Sequence, residues 1–120
     1  MKQILLIEDN VLNSELVKDI LEMENYEITC VTNGKDALDL LKKNLFDLIL
    51  TDINMPKMDG LELVQRIREE TSQICKIIAI SSDTSAKDGK SFEEVGFDGF
   101  VQKPFKVKEF RNYVNAVIES

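Results

Sequence analysis

The sequence predicts an α/β domain built on a five-stranded parallel sheet, and two patterns support this prediction. Five short apolar segments alternate along the chain with helix-like segments, an order typical of parallel strands joined by right-handed helical crossovers. The most uniformly apolar segment, residues 46–51, is typical of a central strand, whereas residues 26–31 alternate as an edge strand does. Both patterns fit the flavodoxin-like, doubly wound class with strand order 2-1-3-4-5 and helices on both faces.

The first half of the chain contains two strand–helix units. An apolar run at residues 3–8 predicts the first strand. It is followed by Leu12, Leu16 and Ile20 at four-residue spacing, with Val17 and Leu21 beside them, which indicates the apolar face of an amphipathic helix. After the edge strand, Asn33 stands three residues before an aspartate, a pattern that favours the start of a second helix.

The second half continues the alternation after the central strand. Turn-forming residues at 55–60 precede a third helix, and residues 77–80 predict the fourth strand. Residues 83–95 are polar and contain Gly89, so a helix is predicted there from the alternation alone. A turn at 96–99 leads into the fifth strand, and valine and phenylalanine at helical spacing predict a last helix.

Length, charge and composition limit the possible functions. The 120 residues are predicted to form one domain over residues 1–120. A net charge of −7 argues against direct nucleic-acid binding, and the absence of histidine excludes histidine-based metal sites and Ser-His-Asp catalysis. Cys30 and Cys75 are predicted to be free buried thiols, as in a reducing cytosol. No membrane-length or signal-peptide segment is present, so we expect a cytoplasmic protein with no membrane contact.

Reactive polar side chains follow four of the predicted strands. Glu8 and Asp9 follow the first strand, Asp52 the central strand, Ser81 the fourth and Lys103 the fifth. The carboxyl ends of parallel strands lie along one edge of the sheet, which is where α/β sheets bind ligands. Crowded carboxylates raise each other's pKa unless a positive charge compensates, and Mg²⁺ favours carboxylate, water and phosphate oxygens. The pattern therefore predicts a site for Mg²⁺ and a phosphoryl group.

Each of these residues also has a simpler interpretation when it is taken alone. Glu8 and Asp9 could favour a helix N-terminus, Ser81 could be an ordinary turn residue, and Lys103 could be a solvated surface lysine. Their joint position at neighbouring strand ends favours a site. In that site Asp52 is the candidate nucleophile, Lys103 would neutralise charge, and Ser81 would donate a hydrogen bond to a phosphoryl oxygen.

The same residues resemble the receiver domain of two-component response regulators. The resemblance rests on Glu8-Asp9, the segment 51–60, Ser81 and Lys103-Pro104-Phe105, in family order over the whole chain. It implies a single-domain, chemotaxis-regulator-like receiver in which Asp52 accepts a phosphoryl group from a histidine kinase or histidine phosphotransfer protein. It also implies Mg²⁺ held by Asp9, Asp52 and the Asn54 carbonyl, with Glu8 acting through water. The Lys103–Pro104 bond is often cis in the family.

The resemblance further implies a switch and a surface that partners read. Ser81 and Phe100 occupy the family's switch positions, although Phe100 replaces the frequent tyrosine and could be a simple core residue. A downstream effector protein would bind the face formed by the fourth predicted helix, the fifth strand and the fifth helix. The protein would not be a conventional enzyme, although it would assist its own phosphorylation and slow dephosphorylation.

Other interpretations of the sequence stay open. The chain could be a receiver cut from a hybrid histidine kinase or a longer regulator. A Mg²⁺-dependent phosphohydrolase would want an acid two residues after the nucleophile, where this chain has Asn54. A nucleotide- or flavin-binding module would want a glycine-rich loop after the first strand. A degenerate receiver that acts as a scaffold is disfavoured because every key position is filled.

Overall fold

The sheet has the predicted topology. The computed structural model describes residues 1–53, 55, 58–81 and 96–119, and its five parallel strands lie in the order β2-β1-β3-β4-β5. The strands are β1 (Gln3–Ile7), β2 (Glu27–Val31), β3 (Leu48–Asp52), β4 (Lys76–Ser81) and β5 (Gly99–Gln102). β3 is central and β2 lies at an edge, as the apolar patterns indicated.

Four helices lie in the described residues: α1 (Val11–Glu22), α2 (Gly34–Leu41), α3 (Gly60–Glu70) and α4 (Val107–Glu119). The predicted capping pattern is confirmed at α2, where the Asn33 side chain accepts a hydrogen bond from the Asp36 backbone N–H at 2.8 Å. Asn10 and Asp59 cap α1 and α3 in the same way. The helix predicted over 83–95 lies outside the described residues. None of the described helices is both long and apolar enough to cross a membrane.

Side chains alternate between the two faces of the sheet, and each face is covered by two of the described helices. One face packs against α2 and α3 and includes Leu5, Ile49 and Ile77. The other packs against α1 and α4 and includes Leu6 and Leu50. Because successive residues of a strand point to opposite faces, this register also decides on which face the residue after each strand emerges.

Helix α1 is rotated relative to the expectation from its leucine spacing. Its buried residues include Val17, Ile20 and Leu21, whereas Leu12 is 76% exposed and Leu16 is 53% exposed. The prediction that Leu12 and Leu16 share the buried face with Ile20 is therefore wrong. Two neighbouring apolar stripes were available on this helix, and packing against the sheet selects the one that contains Val17 and Leu21.

Both cysteines are free, as predicted, but their burial differs from the prediction. Cys30 is exposed at the end of the edge strand β2, so the prediction of a buried thiol is wrong there. Cys75 is half-buried, and burial raises the pKa of its thiol to about 11. A thiol with that pKa is almost entirely protonated near neutral pH. It therefore reacts slowly, because the thiolate is the reactive form.

The two thiols should therefore react with an aromatic disulfide reagent in two phases at pH 8. We expect Cys30 to react in the fast phase and Cys75 in the slow one, because only about one part in a thousand of the Cys75 thiol is ionised at that pH. Absorbance of the released thiolate measures both phases. Cys30→Ser should remove the fast phase alone, and equal fast rates in the folded protein would contradict the structure.

Candidate functional site

The acidic residues predicted from the strand ends do converge. Strands β1 and β3 are paired with Ile7 opposite Thr51, so Glu8 and Asp52 lie beside each other at the carboxyl edge. Because successive side chains of a strand point to opposite faces, the side chains of both residues point to the face covered by α1 and α4. A carboxylate oxygen from each of Glu8, Asp9 and Asp52 can be chosen such that all three oxygens lie within 4.8 Å of one another.

Lys103 reaches the same point from β5. Its ammonium Nζ lies 3.2 Å from Glu8 Oε2 and 3.5 Å from Asp52 Oδ2. The Lys103 backbone N–H donates to the Ser81 carbonyl oxygen at 2.9 Å, which ties the end of β5 to the end of β4. The Lys103–Pro104 peptide bond is cis, as the resemblance implied. The lysine thus places its positive charge between carboxylates from two strands.

The three carboxylates differ in burial. Glu8 is 3% exposed and Asp52 is 7% exposed, whereas Asp9 is exposed. Burial is the main cause that raises the pKa of the Glu8 carboxyl above its ordinary value, and the nearby Asp52 charge acts in the same direction. The Asn10 backbone N–H and the Lys103 ammonium act in the opposite direction. The pocket therefore carries unfavourable negative charge that a cation would relieve.

The first residue of α3 packs closely against the backbone at the end of β3. The Gly60 backbone N–H donates to the Ile53 carbonyl oxygen at 2.8 Å. A Cβ atom on Gly60 would lie 2.8 Å from the Asp52 carbonyl oxygen and 2.8 Å from Ile53 Cα. Because real Cβ atoms do not come that close to a backbone, glycine is required for this approach. The sequence indicated only a turn here and gave no signal for this second role.

A cavity of about 330 Å³ adjoins the acidic residues on the α1 side. Glu8 and Lys103 line one end, and the rest of the lining is mostly apolar, with Leu16 from α1 and Phe105 after β5. The partly exposed Leu16 therefore lies next to the reactive groups. Sequence reasoning placed Leu16 in the core and missed this position, because its spacing alone cannot distinguish the two stripes of α1.

The remaining predicted site residues have different surroundings. Ser81 is 1% exposed at the end of β4 and contacts Lys103 through its carbonyl oxygen. Phe100 is half-buried against the core on the α2 and α3 side. Its backbone N–H donates to the Tyr113 hydroxyl at 3.2 Å, a contact to α4 that the sequence did not indicate. Asn54, predicted to offer a carbonyl oxygen to the metal, lies outside the described residues.

Comparison with known proteins identifies the class. Residues 4–115 match the family model of the response regulator receiver domain. The chain is 32% identical over 110 residues to the polar-differentiation response regulator DivK of Brucella anthropi, covering 91% of this chain and 89% of DivK. For two other curated relatives, the chain covers 51% and 6% of their length.

Solved structures agree with this match. The receiver domain of the sensor histidine kinase PA1611 from Pseudomonas aeruginosa PAO1 has a TM-score of 0.87 at 28% identity, covering 99% of this chain and 98% of that domain. That structure holds a magnesium ion in its active site cleft. The chemotaxis protein CheY4 of Vibrio cholerae has a TM-score of 0.86 at 28% identity, with 98% of each chain covered.

The chain therefore belongs to the response regulator receiver domain family. It is a phosphoryl-accepting domain of two-component signalling, in which receivers pair with histidine kinases, and it is not a conventional enzyme. Its acidic cluster of Glu8, Asp9 and Asp52 could hold a metal ion, and the PA1611 receiver holds magnesium in its active site cleft. The donor set suits this ion, because hard divalent cations prefer carboxylate oxygens.

Removal of one carboxylate should weaken metal binding. Mg²⁺ that binds the folded state raises the melting temperature by mass action, and we expect Asp9→Ala to lose most of that rise. In EDTA the same variant should be no less stable than the wild type, because a repulsive charge has been removed. Differential scanning fluorimetry with and without Mg²⁺ measures both effects.

The matched control for this experiment is Asp39→Ala, which removes an exposed carboxylate on α2, away from the pocket. This variant should keep the Mg²⁺-induced rise in full. An equal rise in the wild type and in Asp9→Ala would contradict the assignment of Asp9 to the metal pocket.

Proposed function

We propose that Asp52 is the residue that accepts the phosphoryl group, from a phosphohistidine on a histidine kinase or a histidine phosphotransfer protein. The observation that carries this proposal is the position of Asp52 at the end of the central strand, beside the carboxylates of Glu8 and Asp9 and 3.5 Å from the ammonium of Lys103. Aspartates are known to form acyl phosphates in phosphoryl transfer.

In this reaction a carboxylate oxygen of Asp52 attacks phosphorus. A new P–O bond forms, the bond from phosphorus to the imidazole nitrogen breaks, and the electron pair leaves with the imidazole. Lys103 would bind a phosphoryl oxygen, and the Ser81 hydroxyl would donate to another. Asp9, Asp52 and the Asn54 carbonyl would hold Mg²⁺, with Glu8 acting through water, and the ion would further compensate negative charge when bound. Phosphoryl transfer depends mainly on such positioning and electrostatic compensation.

Slow turnover follows from the residue at position 54. A phosphohydrolase would protonate its leaving group with an acid at that position, a contribution of about 10²–10⁴ in rate, and this chain has Asn54 there. Activated donors can then load Asp52 while ordinary phosphate esters cannot. The acyl phosphate would persist long enough for a partner to bind, as a signalling switch requires.

The output is altered binding of an effector protein to the face that includes β5 and α4. The helix predicted over 83–95, the remaining part of this predicted face, lies outside the described residues. The hydrogen bond between the Phe100 N–H and the Tyr113 hydroxyl joins β5 to α4, which supports their acting as one surface. Ser81 and Phe100 are the proposed switch residues. Phosphorylation would favour one of two arrangements of this surface.

The surface that meets the phosphodonor would lie on α1. Val11, Leu12 and Leu16 are exposed apolar residues, and Leu16 lines the cavity beside the acidic residues. Exposed apolar patches often mark interaction sites. Donor and receiver would meet in the cytoplasm, where histidine kinases hold their phosphoryl groups, and the two free cysteines support this location.

Loading by a small donor tests the acceptor assignment. With Mg²⁺ and acetyl phosphate, intact mass spectrometry should show the gain of one phosphoryl group in the wild type. Asp52→Asn should abolish the gain, because an amide oxygen cannot replace the carboxylate nucleophile. Asp39→Asn, on the exposed face of α2, should load as the wild type does. Full loading of Asp52→Asn would reject Asp52 as the acceptor.

Loading by a protein donor tests the surface on α1. Leu12→Asp should slow transfer from a phosphorylated histidine phosphotransfer protein about tenfold, the effect of losing one important interface residue. Loading by acetyl phosphate and the melting temperature should not change, since Leu12 is exposed. Leu45→Asp is the matched control, because Leu45 is 69% exposed just before β3, at the opposite edge of the sheet. Equal slowing by both variants would contradict donor docking on α1.

A further inference from the structure

Both oxygens of the Glu8 carboxylate already have partners within the protein. Oε1 accepts a hydrogen bond from the Asn10 backbone N–H at 3.1 Å, and Oε2 accepts one from Lys103 Nζ at 3.2 Å. The lysine lies nearer to Glu8 than to Asp52, for which the shortest ion-pair distance is 3.5 Å. Glu8 is therefore the first partner of the lysine in this structure.

The position of Glu8 makes this pair significant. Glu8 is 3% exposed, and a buried carboxylate is costly unless it is paired and hydrogen-bonded. The Asn10 N–H belongs to the turn that begins α1 and fixes one side of the carboxylate. That contact leaves Oε2 directed at the lysine, so local backbone sets the orientation of Glu8.

Lys103 needs such a partner because of its surroundings. Its side chain lines the cavity of about 330 Å³ together with Leu16, Ile80 and Phe105, whose side chains are apolar. A lysine side chain has a long flexible stem and a strongly hydrated ammonium, and this one is 24% exposed. Without Glu8, the ammonium could turn toward solvent and away from Asp52. The Glu8 carboxylate holds it at the edge of the reactive site.

We infer that Glu8 is a positioning residue that orients the Lys103 ammonium toward Asp52, a role separate from its contribution to metal binding. In the resting protein Glu8 would hold the lysine beside Asp52. When a phosphoryl group arrives, one of its oxygens would take the place of Glu8 or share the ammonium with it. The reactive consequence rests on the proposed function of Asp52, whereas the orientation of the lysine does not.

The orientation can be tested without metal and without phosphorylation. In EDTA at low temperature, nitrogen-detected or proton–nitrogen NMR of ¹⁵N-lysine protein should show a Lys103 ammonium signal, assigned by its loss in Lys103→Arg. A held, hydrogen-bonded ammonium exchanges its protons with water slowly. Glu8→Gln should broaden this signal beyond detection, while Asp9→Asn, which removes the neighbouring charge, should retain it. A retained signal in Glu8→Gln, or loss in both variants, would overturn the inference.

A double-mutant cycle tests the consequence for loading. At saturating Mg²⁺, Glu8→Gln should slow loading by acetyl phosphate about tenfold when Lys103 is present. It should have less than about a twofold effect in a Lys103→Gln background, because interacting residues are not additive. Equal effects in both backgrounds would assign Glu8 to the metal alone. If Glu8→Gln does not fold, Glu8→Asp, whose carboxylate is one methylene shorter, gives the same comparison.

The two experiments separate the possible failures. If the wild type does not load at all, the proposed function of Asp52 fails, while the NMR result still decides whether Glu8 holds Lys103. If loading proceeds but the lysine signal is independent of Glu8, the positioning role fails and the proposed function stands.

Discussion

The site depends on the compensation of negative charge at the carboxyl edge of the sheet. Glu8, Asp9 and Asp52 have oxygens within 4.8 Å of one another, and the Lys103 ammonium lies between Glu8 and Asp52. Such crowding opposes ionisation unless positive charge is present. The lysine supplies part of this charge, and a bound Mg²⁺ would supply more. A pocket that already attracts positive charge and phosphate oxygens is thereby built into the resting fold.

The register of the parallel strands makes this arrangement possible. Strands β1 and β3 are neighbours because of the 2-1-3-4-5 order, and the alternation of side chains directs Glu8, Asp52 and Lys103 to the same face. A shift of one residue in any strand would turn its last side chain to the opposite face. The apolar residues that fix the register, such as Leu6 and Leu50, therefore also determine the geometry of the charged site.

Local patterns in the sequence predicted the strand order and the acidic site, because periodicity and strand ends are properties of short segments. Side-chain packing was less accessible to prediction. The rotation of α1, which exposes Leu12 and Leu16, depends on tertiary packing. The pairing of Glu8 with Lys103 joins residues 95 positions apart, and the approach of Gly60 to β3 is a backbone contact without a distinctive signal. The helix predicted over 83–95 remains a prediction.

The most direct test of the central claim is chemical mapping of the phosphorylated residue. After loading with acetyl phosphate and Mg²⁺, borohydride reduces an acyl phosphate to an alcohol and so converts the modified aspartate to homoserine. Peptide mass spectrometry should then find homoserine at position 52, only after loading, and at a much lower level in Lys103→Gln. Homoserine at Asp9 or at another carboxylate, with residue 52 unchanged, would contradict the assignment of Asp52 as the phosphoryl acceptor.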